Sequence, residues 1–399
     1  MLLRPGWRGK AGAAALALGL AITVPAVANA GSPTTVTTYG TTGVRLNQIQ
    51  VVGTHESYHL EATPAEKAIR EAQSPTTEHE FEYTASPISD QLSTQNVRQL
   101  EFDVWADPNG GLYANPLLRQ LAGEGPYDPI MLQPGTKVLQ AQDVDYNTRC
   151  LTLVACLRLV KTWSDSHQSA VPIAIMLEFH DELLTAPGQT DPVPGTVVPL
   201  AWTRERMLAL EQEILSVFPR NRILTPDNVR KSGKTLEQSV KTDGWPTVDS
   251  VRGKVMFLMD QKEHSTRFRD VYVQGNPSLE GRVMWSQSTP GQPDAAFLKR
   301  YVWEGTGAAD ITNLVSQGYM VRTRADADTL QARANDTTDR DLALNSGAQW
   351  VSTDYPAPGM AERFDSPYYV AIPGGTVARC NPIAVSSTCR SAYIEPRRR

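Results

Sequence analysis

Short apolar runs alternate with stretches of helical spacing from Gln48 onward. Runs rich in Val, Ile, Leu and aromatic residues predict strands at 48–52, 98–105, 137–141, 171–179, 254–259, 282–285, 318–322 and 349–352. Apolar residues at helical spacing predict helices at 151–166 and 204–218, the second with Thr203 as N-cap and Pro219 as its stop. Shorter helical segments are expected at 296–302 and around Leu314. Strand-helix alternation implies parallel strands, and about eight of them favour an α/β fold of the TIM-type (β/α)8 barrel class. A doubly wound sheet is the alternative, but neither G-x-G-x-x-G nor a Walker loop is present to support it. Segments 185–199 and 359–373, rich in Pro, Gly and small residues, are expected to be long surface loops.

The N-terminus changes what is to be folded. Arg4, Arg8 and Lys10 precede an apolar run at 11–24, and Ala28-Asn29-Ala30 supplies a small-x-small cleavage site. Residues 1–30 therefore read as a secretory signal peptide, with a retained anchor as the alternative. Residues 31–43, full of Thr and Ser, read as a disordered lead-in, and 44–399 as one barrel domain. A formal net charge of −5 argues against a nucleic-acid partner. Cys150, Cys156, Cys380 and Cys389 are even in number and close in pairs, as expected for two local disulfides in an exported chain.

Charges at strand ends carry the chemistry. In Leu100-Glu101-Phe102-Asp103-Val104, alternation sends the apolar residues to one face and both carboxylates to the other. That second face is either the inside of a barrel or the wet side of an edge strand. His55 and Glu56 follow the first strand, Glu178 and His180 share a face at the end of the fourth, and Asp354 follows the last. Active sites of parallel barrels form at the C-terminal mouth. Glu56, Glu101, Asp103 and Glu178 offer hard oxygens and no thiolate, which favours Ca2+ over zinc. His59 is expected either at the mouth or on a solvent-facing loop, and His79 and His167 at the surface.

The stretches LNQIQVVGTHESYH, QLSTQNVRQLEFDVWADPNGGLYANP, WSDSHQSAVPIAIMLEFHDE, RGKVMFLMD and GAQWVSTDYP resemble, in that order, the secreted bacterial and fungal calcium-dependent phosphoinositide-type phospholipases C. The resemblance implies that His55 is the first catalytic histidine and that Glu101, Asp103 and Glu178 bind Ca2+. Glu56 stands where that family has a calcium-binding asparagine, and Gln140 where it has a second catalytic histidine. Gln140 cannot protonate a leaving group, which leaves His180, Asp143 and Asp354 as candidate acids. Gln140, Lys262 and Asp354 are substrate-facing positions in this reading, although a solvated loop suits Lys262 better.

The implied reaction is attack by an inositol hydroxyl on the adjacent phosphorus, with His55 stabilising charge on the phosphoryl oxygens, giving diacylglycerol and a cyclic inositol phosphate. The expected partners are a phospholipid or inositol phosphodiester substrate and, transiently, a membrane surface, with the chain acting as a monomer. Two other readings stay open: a glycerophosphodiester phosphodiesterase, and a non-catalytic calcium or phosphoinositide binder.

Overall fold

The structure is a computed structural model that describes residues 41, 43–73, 78–261 and 265–395. The expected signal peptide, nearly all of the lead-in, and Lys262 lie outside the described residues. The strands are β1 (Ile49–Thr54), β2 (Gln99–Trp105), β3 (Lys137–Val138), β4 (Ile173–His180), β5 (Val255–Asp260), β6 (Met284–Ser286), β7 (Phe297–Lys299), β8 (Met320–Arg324), β9 (Trp350–Thr353) and β10 (Ala378–Cys380). Eight of them form a parallel path in the order β6-β5-β4-β2-β1-β9-β8-β7. The remaining gap, between β6 and β7, is bridged by parallel pairing of Gln287 with Phe297. The result is the expected eight-stranded barrel.

Two strands differ from the sequence expectation. The segment expected at 137–141 contributes a two-residue strand that runs antiparallel to the end of β2, with Val138 opposite Val104 and Lys137 opposite Trp105. It extends the mouth and is no barrel stave. The missing stave is β7, inside the stretch expected to be helical at 296–302. A three-residue buried strand within a continuous apolar run has no period to distinguish it from a helix.

Local chemistry explains the elements that surround the barrel. Leu153–Ser166 buries Leu153, Cys156, Leu157, Val160 and Trp163 along one stripe, and Thr152 caps it by accepting from the Ala155 amide. Arg204–Val217 buries Met207, Leu210, Ile214 and Val217, and Thr203 caps it as expected. β4 lies between β2 and β5, so its apolar run IAIMLEFH has no wet face until its last residues. The segment 359–373 is not the surface loop expected from its composition. Tyr368, Val370 and Ile372 are buried, and the Tyr368 hydroxyl donates to the Ala325 carbonyl. An alternating apolar pattern was hidden there among Pro and Gly.

β1 meets β2 in register only where Gly53, near the end of β1, faces Gln99, the first residue of β2. A Cβ on Gly53 would come within 1.9 Å of the Gln99 Oε1, so only glycine lets the Gln99 side chain pass. β10 pairs antiparallel with the first half of β1. Disulfides join Cys150 to Cys156 and Cys380 to Cys389, as expected. Beyond the second disulfide, Glu395 accepts from Arg98 and from the Val171 amide, tying the C-terminal segment to the start of β2 and the approach to β4.

Arg98 and Glu395 are 4% and 11% exposed at their side chains, so removing one partner strands a buried charge. We expect Glu395→Ala to cost about 3 kcal/mol in urea unfolding. A loss under about 1 kcal/mol would show that the pair behaves as an exposed one.

Candidate active site

The barrel mouth gathers charge from nearly every stave. Side chains alternate along β2, and the register that sets Asp103 opposite Glu178 also sets Trp105 opposite His180. Glu101 and Asp103 accordingly point inward, 1% and 3% exposed. The edge-strand reading of this pair is thereby excluded. Glu178 and His180 rise beside them, and the His180 ring stacks on Trp105 with centroids 5.2 Å apart.

Four charged residues of the mouth were missed in the sequence, one carboxylate and three cations. Asp260 closes β5, Lys299 closes β7, and Arg322 and Arg324 lie two apart on β8, so they share a face. Lys299 Nζ donates to Asp260 Oδ2 at 2.8 Å. Arg322 Nη2 donates to Glu101 Oε2 at 2.6 Å, with both side chains 1% exposed. The sequence signal for the arginines was present: two cations of equal parity in an apolar strand. Lys299 was obscured because its strand read as a helix.

Two groups of potential ligands for a cation converge at the mouth: Asp103, Glu178 and His180, and Glu101, Glu178 and Asp260. Glu178 belongs to both. The second group already holds Lys299 and Arg322. In the first, Asp103 Oδ1 is buried with no hydrogen-bond partner, and Asp103 Oδ2 lies 3.4 Å from His180 Nε2. An orphaned hard oxygen beside a second carboxylate fits a calcium ion. Burial pushes the Glu178 carboxyl up, but Lys299, His180 and Arg322 outweigh it and hold it below its ordinary value. Glu178 is therefore ionised and ready to ligate. Burial raises Asp260 to about 6, against the pull of Lys299.

Glu56 stands apart from both groups. It adopts the left-handed region at φ 38°, which turns the chain directly after β1, and it accepts a hydrogen bond from the Tyr83 hydroxyl. Burial and the nearby Asp103 raise its pKa well above the ordinary value. The turn is held by Ser57, whose amide donates to the Glu101 carbonyl at 3.0 Å and whose hydroxyl accepts from the Glu101 amide at 2.8 Å.

His55 has a defined protonation state. Its Nδ1 lies 3.0 Å from Asp354 Oδ1, and its Nε2 lies 3.2 Å from Arg324 Nη1. A guanidinium only donates, so Nε2 must accept, and the proton sits on Nδ1 facing Asp354. Burial, with Arg324 and Arg322 adding to it, holds His55 well below the ordinary imidazole value. The ring is neutral.

The remaining expectations divide. Gln140 makes no hydrogen bond through Oε1, which is buried. Asp143 accepts from the Leu117 and Val197 amides and serves to anchor loops. His79 is exposed as expected, and His167 is half-buried, stacked on Trp163.

His59 is on no solvent-facing loop: it is fully buried. Its Nε2 meets Asp145 Oδ2 at 2.8 Å and its Nδ1 meets the Tyr83 carbonyl at 3.0 Å. Two acceptors require an imidazolium. Burial alone would lower its pKa, but Asp145 and the Tyr83 carbonyl overcome this and raise it. Arg70 supports Asp145 from the other side at 3.3 Å.

A raised folded-state pKa means that the His59 contribution is complete below the unfolded value of 6.5 and is lost as pH climbs through the folded value. Thermal unfolding of the wild type should therefore lose stability above neutral pH, and His59→Gln should flatten that part of the profile. Parallel profiles for the two proteins would contradict the assignment.

The family model described as Phosphoinositide phospholipase C, Ca2+-dependent, matches residues 44–382. No curated protein gives a match. Among solved structures, the calcium-dependent phosphoinositol-specific phospholipase C of Pseudomonas sp. in its apo form is similar at 15% identity, with 85% of this chain and 96% of that chain covered and a TM-score of 0.49. The Ca2+-dependent phosphatidylinositol-specific phospholipase C of Streptomyces antibioticus is similar at 15% identity, covering 81% and 98%, with a TM-score of 0.47. By the match of the family model across most of its length, this chain belongs to the Ca2+-dependent phosphoinositide phospholipase C family.

Proposed function

We propose that the chain cleaves phosphatidylinositol-type lipids in a calcium-dependent reaction, giving diacylglycerol and a cyclic inositol phosphate. The observation that supports this reading best is one juxtaposition at the barrel mouth: the orphaned Asp103 oxygen beside ionised Glu178, facing the neutral His55–Asp354 pair. Asp103 and Glu178, with Glu101 nearby, would hold the calcium. When bound, it supplies positive charge to the phosphate and lowers the pKa of the hydroxyl beside it.

The protein's own groups then divide the proton transfers. Asp354 orients His55 through Nδ1, leaving the Nε2 lone pair toward the mouth. We assign His55 as the base that takes the proton of the attacking hydroxyl, in place of the charge-stabilising role expected from the family resemblance. As the new O–P bond forms, the P–O bond to glycerol breaks and its oxygen needs a proton. His180 is assigned that donation: it is 18% exposed at its side chain, lies beside Asp103, and its Nδ1 faces Glu182 at 3.1 Å. His55 returns its proton to solvent and His180 regains one, which closes the cycle.

Exposed apolar residues follow several strand ends, among them Leu183 after β4, Trp303 after β7 and Leu330 after β8. This rim would rest on a lipid surface while the headgroup enters the mouth. The two disulfides suit an oxidising compartment, in keeping with proposed secretion. The replacement of the family's second histidine by Gln140 favours the binding-only reading, and turnover decides between them.

Phosphorus NMR of the purified protein with phosphatidylinositol vesicles should show a cyclic inositol phosphate when calcium is present and no product with chelator. His180→Gln should slow that reaction about 100-fold while slowing an inositol aryl phosphodiester, whose leaving group needs no proton, far less. No product from the wild type leaves the binding-only reading. Equal losses on both substrates remove His180 as the acid.

A further inference from the structure

We infer that Arg324 binds a non-bridging oxygen of the substrate phosphate and stabilises the charge that develops there. The inference rests on the phosphodiesterase reading above and assigns one more residue to that site.

The cations of the mouth differ in what occupies their donors. Arg322 gives Nη2 to Glu101, Nε to the Ser352 hydroxyl at 3.1 Å and Nη1 to the Tyr301 hydroxyl at 3.4 Å. Lys299 is held by Asp260. Arg324 is bound more sparsely. Its Nη2 donates to Asp354 Oδ2 at 3.2 Å and its Nη1 to His55 Nε2 at 3.2 Å, while Nε is buried without a partner. A guanidinium carries five N–H donors in a rigid fork. Several are unmatched in a side chain that is 10% exposed. Such a group awaits an anion.

Place and chemistry agree on which anion. Arg324 is the last residue of β8 and touches the ring nitrogen assigned to take the hydroxyl proton. The group undergoing reaction therefore passes within reach of the same guanidinium. Its contact with His55 Nε2 occupies the lone pair that the base requires. A phosphate oxygen is a stronger acceptor for a guanidinium than an imidazole nitrogen. On substrate entry Arg324 would turn its Nη1 hydrogen to the phosphate and release Nε2 for the hydroxyl. Asp354 anchors both partners through its two oxygens, and its amide donates to Asp326 Oδ1 at 3.2 Å. The exchange thus needs no movement of the backbone.

The test is calorimetric titration of the full chain, in calcium buffer, with inositol 1-phosphate and with myo-inositol. The wild type should prefer the phosphate. Arg324→Gln should weaken inositol 1-phosphate by about 10-fold or more, with myo-inositol changed by less than about 2-fold. Arg324→Lys, which keeps the charge and loses the fork, should fall between. It carries the test alone if the glutamine variant does not fold. Equal weakening of both ligands would show that Arg324 merely positions its neighbours, and an unchanged preference in either folded variant would overturn the inference while leaving the proposed function standing. A wild type that shows no preference for the phosphate would count against the proposed function itself.

Discussion

Carboxylates enclosed in a barrel mouth must each find a positive partner or a proton, and that requirement organises this protein. Glu101, Asp103, Glu178 and Asp260 arrive on adjacent inward-facing positions because β2, β4 and β5 are paired in register. Two of the four are answered from the far side of the barrel, Glu101 by Arg322 and Asp260 by Lys299. Unpaired, each would cost several kcal/mol. The far-side cations therefore belong to the folding problem as much as to the site. What they leave unanswered, the Asp103 oxygen and ionised Glu178, is where the proposed calcium would complete the balance.

The same logic fixes His55. Between Asp354 and Arg324, the ring has one nitrogen that must donate and one that must accept, so its tautomer is decided by neighbours on β8 and beyond β9. The turn that carries His55 is in turn pinned to β2 through Ser57. Histidine, mouth carboxylates and arginines are thus set against one another by strands, with little left to loop geometry. His59 is separate from this: buried among Asp145, Tyr83 and Arg70, it is charged in order to hold the first loop together.

Much of this was legible in the sequence, for identifiable reasons. The alternation in Leu100-Glu101-Phe102-Asp103 and the shared parity of Glu178 and His180 pointed both pairs to one face, and so they lie. Seven of the eight staves were read from apolar runs. β7 was not, because three residues cannot display a period, and Lys299 was missed with it. Arg322 and Arg324 had the same parity signal as Glu101 and Asp103, but partners that lie from 30 to more than 200 residues away in the chain give a strand no local sign of pairing. His59 read as a loop residue because burial by a folded-back loop depends on tertiary contacts that no window of sequence contains.

The proposed cation seat lies between two carboxylates, Asp103 and Glu178, that neither Arg322 nor Lys299 hydrogen-bonds. Anomalous diffraction from crystals soaked with a lanthanide, a hard oxygen-seeking ion, locates that seat without relying on turnover. A peak is expected between the Asp103 and Glu178 carboxylates, with the Arg322–Glu101 and Lys299–Asp260 pairs intact. A peak between Glu101 and Asp260, with Lys299 displaced, would contradict it.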